Sequence, residues 1–402
     1  MIDIKEKRNC CGCSACVQRC PRLCISLNAD DEGFLYPEID RKLCINCGLC
    51  EKVCPIINQN TKTRPIKAYA GINPNEEVRQ NSSSGGIFTM LAEETINAGG
   101  VVFGVSFDNN WIPRHEDIKC IGDIYKLRGS KYVQSRLDDC YKKVKLYLEA
   151  ERKVLFTGTP CQIAGLKKFL GRDNSNLLTV DFICHGVPSP GVWYWYLKNA
   201  ALKTNHACGT FSMSIQNGIS LIKDIKFRDK SYGWRNYCFV LQKFADESKN
   251  VLSALKDDNG YMISFLNNIS LRPSCYDCQA KCGKSGSDIT IADFWGIENL
   301  RPDMDDDKGV SLILANSKKG KSCINGIQAI LVEINIDEAI SCNKSWENSA
   351  CKHEMHDYFF KNFKKHETDF DTFCKELVHT TNIRKRCIRK IFRIFGYKQL
   401  PI

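Results

Sequence analysis

"CCGCSACVQRCP", from Cys10 to Pro21, and "CINCGLCEKVCP", from Cys44 to Pro55, repeat one cysteine spacing near the start of the chain. The spacing in both stretches is C-x2-C-x2-C-x3-C-P. The cysteines that follow it are Cys10, Cys13, Cys16 and Cys20 in the first stretch and Cys44, Cys47, Cys50 and Cys54 in the second. So regular a repeat predicts two metal-binding units.

This spacing is typical of bacterial ferredoxins that carry two iron-sulfur clusters. Three closely spaced thiolates hold three corners of a cuboidal 4Fe-4S cluster, and the fourth cysteine of each stretch reaches the other cluster. We therefore expect one cluster on Cys10, Cys13, Cys16 and Cys54, and the other on Cys44, Cys47, Cys50 and Cys20. The alternative is zinc, because paired C-x2-C units also form tetrahedral zinc sites. Cys11 and Cys24 lie off the spacing, and we expect them to be small buried residues.

The length and the cysteine content bound the class of protein. A chain of 402 residues exceeds the roughly 250–300 residues at which single cores stop growing, so it predicts two or three domains. No secretory signal is visible in "MIDIKEKRNC". The 24 cysteines are therefore expected in a reducing cytoplasm, where metal ligation, catalysis and packing are commoner uses than disulfides.

The net charge of +11 is concentrated partly in "NIRKRCIRKIFRIFGYK" (Asn382–Lys398). Residues 383–398 predict a basic amphipathic helix that is able to lie on anionic lipid at the inner face of the membrane. The alternative is a terminal helix docked on its own protein. Charge alone does not indicate a nucleic-acid partner, and we expect none.

The stretch that begins at Ser82 predicts a helix followed by a buried strand, "VVFGVSF". A Ser/Gly-rich loop, Ser82–Gly86, precedes the helix. Exposed N–H groups and the helix dipole make such a loop a candidate phosphate cradle. The alternative is a simple helix cap on a flexible loop.

Two apolar stretches predict a β-α-β unit. "KVLFTGTPCQIAGLKKFLG" (Lys153–Gly171) predicts a strand, a turn and a helix, and "NLLTVDFICHGVPSP" (Asn176–Pro190) predicts the next strand. Strands joined in this way are parallel, and ligands bind at the carboxyl edge of parallel sheets. Cys161 and Cys184 are therefore expected to face one crevice, with His185 beside them.

"CYDCQAKCGKSGSDITIADFWGI" (Cys275–Ile297) adds a third C-x2-C pair and a further predicted strand. An isolated pair of this kind can also be coincidence or zinc. The candidates for a third metal centre are Cys161, Cys184, Cys275, Cys278 and Cys282. We favour the first four of these, although the spacing leaves the choice open. The preceding stretch, Lys256–Ser274, predicts a helix and a connector without chemistry of their own.

Taken together, the motifs resemble the family of coenzyme F420 hydrogenase/dehydrogenase beta subunits, in the version with a fused N-terminal ferredoxin. The stretches that carry the resemblance are "GFLYPEID", "SSSGGIF", "RGSKYVQS", "LFTGTPCQIAGLK", "ICHGVPSP" and "SDITIADFWGI". The resemblance implies FAD and at least one further 4Fe-4S cluster, held by cysteines of "GTPC", "CHG" and "CYDC". It implies a flavin site lined by Ser82, Ser83, Ser84, Gly85, Gly86, Gly129, Ser130, Lys131 and Tyr132. Ala292 and Cys24 depart from the usual Gly and Ala.

The expected fold class is α/β, with an N-terminal two-cluster ferredoxin unit (α+β) in residues 1–58. An α/β flavin-binding module with a partly parallel sheet is expected in residues 66–150 and 151–320, and a helical, basic region in 321–402. The expected function is that of an iron-sulfur flavoprotein oxidoreductase. It passes electrons between a small-molecule carrier or substrate, with coenzyme F420 as a candidate, and FAD, 4Fe-4S clusters and a redox partner protein. The alternative is an electron-transfer adaptor subunit without a substrate pocket. Catalytic residues are not assigned.

Overall fold

The computed structural model describes residues 1–203, 219–244 and 251–381. The predicted basic helix of residues 383–398 lies outside these ranges. The described part of the chain forms three sheets with helices packed around them. Within the described residues, no helix combines the length and the apolar character that a membrane crossing requires.

The N-terminal unit contains two short helices and a two-stranded antiparallel sheet. Its elements are α1 (Ala15–Arg19), β1 (Ile25–Ala29), β2 (Leu35–Ile39) and α2 (Leu49–Lys52). Ile25 pairs with Ile39, and Ala29 pairs with Leu35. Each helix follows a residue in the left-handed conformation, Ser14 or Gly48, so each cysteine loop turns sharply into its helix. The expected α+β unit is therefore present.

An eight-stranded sheet forms the centre of the rest of the chain. Its strands are β3 (Lys67–Ile72), β4 (Val101–Phe107), β5 (Pro113–Ile118), β6 (Val154–Thr157), β7 (Leu177–Phe182), β11 (Ile289–Asp293), β12 (Ser311–Ala315) and β13 (Ile330–Ile334). Their order is β13-β3-β12-β11-β7-β6-β4-β5. The neighbours β4, β6, β7 and β11 run parallel, and the strands on either side of them pair antiparallel. The predicted α/β class with a partly parallel sheet is confirmed.

The predicted β-α-β unit is also confirmed, because β6 and β7 are parallel neighbours joined through helix α7 (Pro160–Leu170). Thr159 caps this helix and forms a reciprocal capping box with Gln162, and Gly171 ends it in the left-handed conformation. The apolar face of α7 packs in one hydrophobic core with the ferredoxin residues Cys13, Ala15 and Val53. The ferredoxin unit is therefore packed directly on the sheet's helical layer.

Other helices cover the sheet and its edges. They are α3 (Glu76–Gln80), α4 (Ile87–Asn97), α5 (Ile124–Leu127), α6 (Cys140–Glu149), α10 (Ile297–Leu300), α11 (Lys318–Gly326) and α12 (Ile336–Ser341). Helix α4 is the helix predicted after Ser82–Gly86, and it buries Ile87 and Leu91 against the sheet.

A second, antiparallel sheet of three strands has the order β10-β9-β8. Its strands are β8 (Ile222–Asp229), β9 (Cys238–Lys243) and β10 (Val251–Leu255). It packs with helices α8 (Pro190–Lys203), α9 (Gly260–Leu266) and α13 (His356–Asn362) and with helical residues 370–381 around an aromatic core that includes Trp193, Phe227 and Tyr261. This layer closes one side of the cleft described below.

Candidate iron-sulfur and cofactor site

The first predicted set of ligands comes together in the ferredoxin unit. Cys10, Cys13, Cys16 and Cys54 line one small cavity, although Cys54 lies far from the others in sequence. Burial, followed by the neighbouring thiols of Cys10 and Cys54, raises the pKa of Cys16 to about 12. Four thiols around one cavity fit the donor set that a 4Fe-4S cluster requires.

The second predicted set is gathered less completely. Cys20 and Cys50 pack in one cluster with Cys24, and Cys44 packs against it. The Sγ atoms of Cys20 and Cys24 are 3.4 Å apart, and Cys50 Sγ accepts a hydrogen bond from the Ile2 N–H at 3.3 Å. Cys47 lies exposed on the same loop. Cys11 and Cys24 are buried, as predicted.

A third group of thiols lies at the carboxyl ends of β6 and β7. Burial raises the pKa of Cys184 well above its usual value, and the thiols of Cys275, Cys161 and Cys278 act in the same direction. The Val187 N–H donates to Cys275 Sγ at 3.4 Å. The four favoured cysteines are therefore near enough for their charges to act on one another, and we call them the third cysteine group.

Cys282 is not among the thiols that act most strongly on the pKa of Cys184. Its Sγ atom lies 3.9 Å from the Glu347 carbonyl oxygen, and its backbone N–H donates to the Trp346 carbonyl at 3.0 Å. We therefore leave Cys282 outside the third cysteine group. The assignment of ligands to a third metal centre stays a prediction.

Cys11 joins the first set to the third cysteine group. Its side chain packs in one core with those of Cys13 and Cys161. The thiol of Cys11, followed by burial, raises the pKa of Cys161 well above its usual value. The three cysteines therefore share the core in which the ferredoxin unit meets the start of helix α7.

A cleft of about 650 Å³ opens at the carboxyl edge of the parallel strands. Its walls include Val105 of β4, Thr157 of β6, Phe182 of β7 and Asp293 of β11. The predicted flavin residues that line it are Ser82, Ser83, Ser84, Gly86, Gly129, Ser130, Lys131 and Tyr132. Gly85 does not line the cleft; a Cβ atom there would lie 2.3 Å from the Gly71 carbonyl oxygen, so it serves close backbone packing.

The two predicted flavin-binding loops contact each other on one wall. The Ser130 N–H and Oγ both lie 2.8 Å from Ser83 Oγ. Lys131 Nζ donates to the carbonyls of Lys126 and Arg128 at 2.9 Å each, and burial lowers the pKa of Lys131 to about 7. Hydroxyl groups, glycine N–H groups and an amine at the start of helix α4 are suited to bind phosphate oxygens.

Aromatic and charged residues form the opposite wall. Trp295 lines the cleft and stacks on the buried Trp234. Asp293 accepts from Trp234 Nε1 at 2.9 Å and from Arg228 Nη1 at 2.6 Å. Arg228 is buried, and its Nε atom has no hydrogen-bond partner. Neither Arg228 nor Trp234 was predicted from the sequence, because β8 and its following turn carry no motif.

His185 connects the cleft to the third cysteine group. It lines the cleft, follows Cys184 in sequence and packs edge-on against Phe265, with ring centroids 5.4 Å apart. Burial lowers the pKa of His185, which favours the neutral ring. His185 therefore lies in the cleft, whereas neither Cys161 nor Cys184 lines it, and Cys161 instead lines a small cavity beside Pro55 and Ala280.

Two family models match the chain. Residues 9–57 match the 4Fe-4S dicluster domain. Residues 151–338 match the family described as the C terminus of the beta subunit of coenzyme F420 hydrogenase/dehydrogenase. The second match includes the third cysteine group and much of the cleft.

Two curated proteins are similar to parts of the chain. The F subunit of the F(420)H(2) dehydrogenase of Methanosarcina mazei is 20% identical over 196 residues, which are 46% of this chain and 55% of that protein. The coenzyme F420-dependent sulfite reductase of Methanocaldococcus jannaschii is 28% identical over 171 residues, 41% of this chain and 26% of that protein. The chain thus spans about half of the first relative and about a quarter of the second.

Among solved structures, a chain of the F420-reducing NiFe hydrogenase complex from Methanosarcina barkeri aligns with a TM-score of 0.43 and 16% sequence identity, covering 78% of this chain and 92% of that one. The two family matches agree with the cysteine sets and with the sheet that carries them. The chain therefore matches a 4Fe-4S dicluster domain over residues 9–57 and, over residues 151–338, the C-terminal domain of coenzyme F420 hydrogenase/dehydrogenase beta subunits.

Proposed function

We propose that this chain is a flavin-dependent iron-sulfur oxidoreductase that moves electrons between a two-electron carrier in the cleft and the clusters of the ferredoxin unit. One observation carries the proposal: the candidate cofactor sites adjoin one another. His185 of the cleft follows Cys184 in sequence, and Cys11 packs in one core with Cys161 and Cys13.

The cleft is suited to FAD. Its Ser/Gly wall and Lys131 would hold the phosphates, and the wall of Trp295 and Arg228 would bind a planar, electron-rich ring. A flavin, when bound, exchanges two electrons with a hydride carrier and single electrons with clusters. The chain's own part is to orient that ring beside His185 and to exclude water from the path to Cys184.

The names of both curated relatives favour coenzyme F420 as the carrier. The cleft volume of about 650 Å³ lies in the range of roughly 300–1,000 Å³ that small-molecule sites occupy. This volume supports an enzyme with its own substrate over the adaptor alternative, which needs no such cavity.

The partner protein would dock around the second cysteine set, the one nearest to solvent. Leu23, Leu43 and Ile45 are 72%, 48% and 59% exposed there. The Asp40 N–H donates to the Cys24 carbonyl at 2.8 Å, which places residues 21–23 beside residues 41–43. We call the exposed residues 21–23 and 41–47 the exit surface.

The charge of the exit surface indicates the character of the partner. Arg22, Arg41 and Lys42 are exposed, and within the described residues they form no ion pair. Asp40, whose carboxylate accepts the Lys42 N–H at 2.9 Å, is the acidic residue beside them. A basic surface with exposed apolar residues fits an acidic redox protein.

The experiment that tests the proposal is anaerobic purification with iron, acid-labile sulfide, zinc and flavin quantified per chain. We expect about twelve irons, about twelve sulfides and about one FAD. About eight irons would contradict the third cluster alone. Bound zinc without sulfide would overturn the whole relay, and a chain that binds no flavin after incubation with FAD would overturn the flavin step.

A further inference from the structure

Arg272 is a charged side chain at 0% exposure, between the ferredoxin unit and the sheet module. Its Nε donates to the Cys10 carbonyl at 2.8 Å, and its Nη2 donates to the Leu35 carbonyl at 2.9 Å. Its Nη1 donates to Gln134 Oε1 at 2.9 Å. The Cys275 N–H donates to the Arg272 carbonyl at 2.8 Å. One residue therefore contacts segments of both the first set and the third cysteine group.

The hydrogen-bond acceptors around this guanidinium are all neutral. They are two backbone carbonyls and an amide, and the ring of Tyr36 lies 4.3 Å from Cζ. Among the described residues, no carboxylate forms an ion pair with Arg272. A buried charge without a counter-charge is costly, so a protein retains one where an anion balances it.

The clusters would supply that anion. A 4Fe-4S cube ligated by four thiolates carries a net negative charge, and reduction makes this charge larger. The thiols whose charges act most strongly on the Arg272 guanidinium are those of Cys10, Cys11 and Cys275. A fixed positive charge in a low-dielectric interior stabilises the more negative, reduced state.

We propose that Arg272 raises the reduction potential of the first ferredoxin cluster and holds the loop of that cluster against the third cysteine group. The potential effect rests on the dicluster domain alone. The positioning role rests on the proposed function, because it needs a cofactor on Cys161, Cys184, Cys275 and Cys278.

The packing around Gly12 supports the positioning role. Gly12 has a φ of +72°, and a Cβ atom there would lie 2.7 Å from Gln134 Nε2 and 3.0 Å from Arg272 Nη1. Gln134 Nε2 also donates to the Cys11 carbonyl at 3.0 Å. Gln134 and Arg272 therefore hold the loop Cys10–Gly12 in the position at which Cys11 packs in one core with Cys161.

The test is an anaerobic redox titration of the purified full chain, followed by electron paramagnetic resonance. The first cluster is assigned as the couple that Cys13→Ser removes. We expect the Arg272→Met variant to keep its iron. Reduction of its first cluster should be at least tenfold less favourable, which corresponds to a reduction potential about 59 mV lower for a one-electron couple. Arg272→Lys should retain most of the potential. Arg64→Met, which removes an exposed charge, should leave the potential unchanged.

Gln134→Glu decides the question if Arg272→Met does not fold, because it adds a carboxylate beside the guanidinium without a change in size. We expect the reduction potential of the first cluster to be lower in Gln134→Glu as well. An unchanged or higher potential in a folded, iron-replete variant would overturn it. The second cluster is the internal reference. If the purified chain contains about eight irons, only the positioning role is overturned, because the potential of the first cluster can still be measured.

Discussion

The indole of Trp295 stacks on that of Trp234 with ring centroids 4.7 Å apart and planes 5° from parallel. Trp234 is fully buried, whereas Trp295 is 36% exposed and lines the cleft. Because Trp234 already fixes one face of the Trp295 indole, the exposed part of that ring can bind a ligand at little further cost in side-chain entropy. We take this pair as the platform for the ring of the flavin or of its carrier.

Trp295→Leu should therefore weaken binding of FAD or of coenzyme F420 by up to about tenfold, because an aromatic pair contributes roughly 0.5–1.5 kcal/mol beyond its buried area. Fluorescence titration of each cofactor with the anaerobic protein measures this. Tyr358→Leu removes an exposed aromatic ring outside the cleft and serves as the control. Equal affinities for the wild type and both variants would contradict the platform.

Lys131 gives the cleft a pH dependence. Its pKa of about 7 means that the free amine is charged below pH 7 and neutral above it. Since the charged form binds phosphate, FAD affinity should fall roughly tenfold between pH 6 and pH 8, an effect of the size of one charge-assisted hydrogen bond. Lys131→Met should remove most of this pH dependence of FAD affinity, although the variant still contains Lys230, whose pKa is also lowered to about 7.

The same lowered pKa predicts a stability effect. The unfolded chain holds this proton up to the usual lysine pKa near 10.5, whereas the folded chain releases it near 7. Stability of the flavin-free protein should therefore rise with pH between these values, and the rise should be smaller in Lys131→Met. Denaturant titrations at several pH values measure it. Lys145→Met, at an exposed position, should behave as the wild type.

The third cysteine group makes a prediction in iron content. Cys278→Ser should lose about four irons per chain and keep the ferredoxin clusters, while Cys282→Ser should keep all of them. The pair is a matched control, since both cysteines belong to the same short stretch. Iron loss in Cys282→Ser alone would show that Cys282, and not Cys278, is the ligand.

The exit surface predicts a preference among electron acceptors. Arg41→Glu combined with Lys42→Glu should slow electron transfer from the dithionite-reduced chain to an acidic flavodoxin at least tenfold at low ionic strength. The effect should diminish in high salt, because surface charges are screened. Stopped-flow absorbance measures the rate.

Two controls sharpen this experiment. Lys142→Glu with Lys145→Glu makes the same change of charge on helix α6, away from the exit surface, and should leave the flavodoxin rate within about twofold. Basic cytochrome c should react faster, not slower, with the Arg41/Lys42 variant. A flavodoxin rate that does not respond to the Arg41/Lys42 variant would refute this docking surface.

The local features of the site were predictable from the sequence. The cysteine spacing lies within short stretches, and the β6-α7-β7 unit follows from hydrophobic periodicity and from the residues that begin and end the helix. Which strands and loops lie next to these features in space was not predictable, because it depends on pairing between distant parts of the chain. Strand β3 lies between β12 and β13, which come more than 200 residues later.

Arg272 is the clearest case of what the sequence conceals. It lies in the stretch Lys256–Ser274, for which no chemistry was predicted, and its partner Cys10 is 262 residues away along the chain. No local pattern separates a buried arginine from an exposed one. Gly85 shows another limit of a motif, since the motif groups it with the flavin residues, whereas in the structure its backbone packs against Gly71.

The shared core of the ferredoxin unit and helix α7 has a consequence for damage by air. Cys13 lies inside that core, whereas Cys47 faces solvent. On the proposed relay, we therefore expect oxygen to reach a cluster on the second cysteine set first, so that a briefly aerated sample would lose electron transfer to a partner before it loses exchange among the inner cofactors.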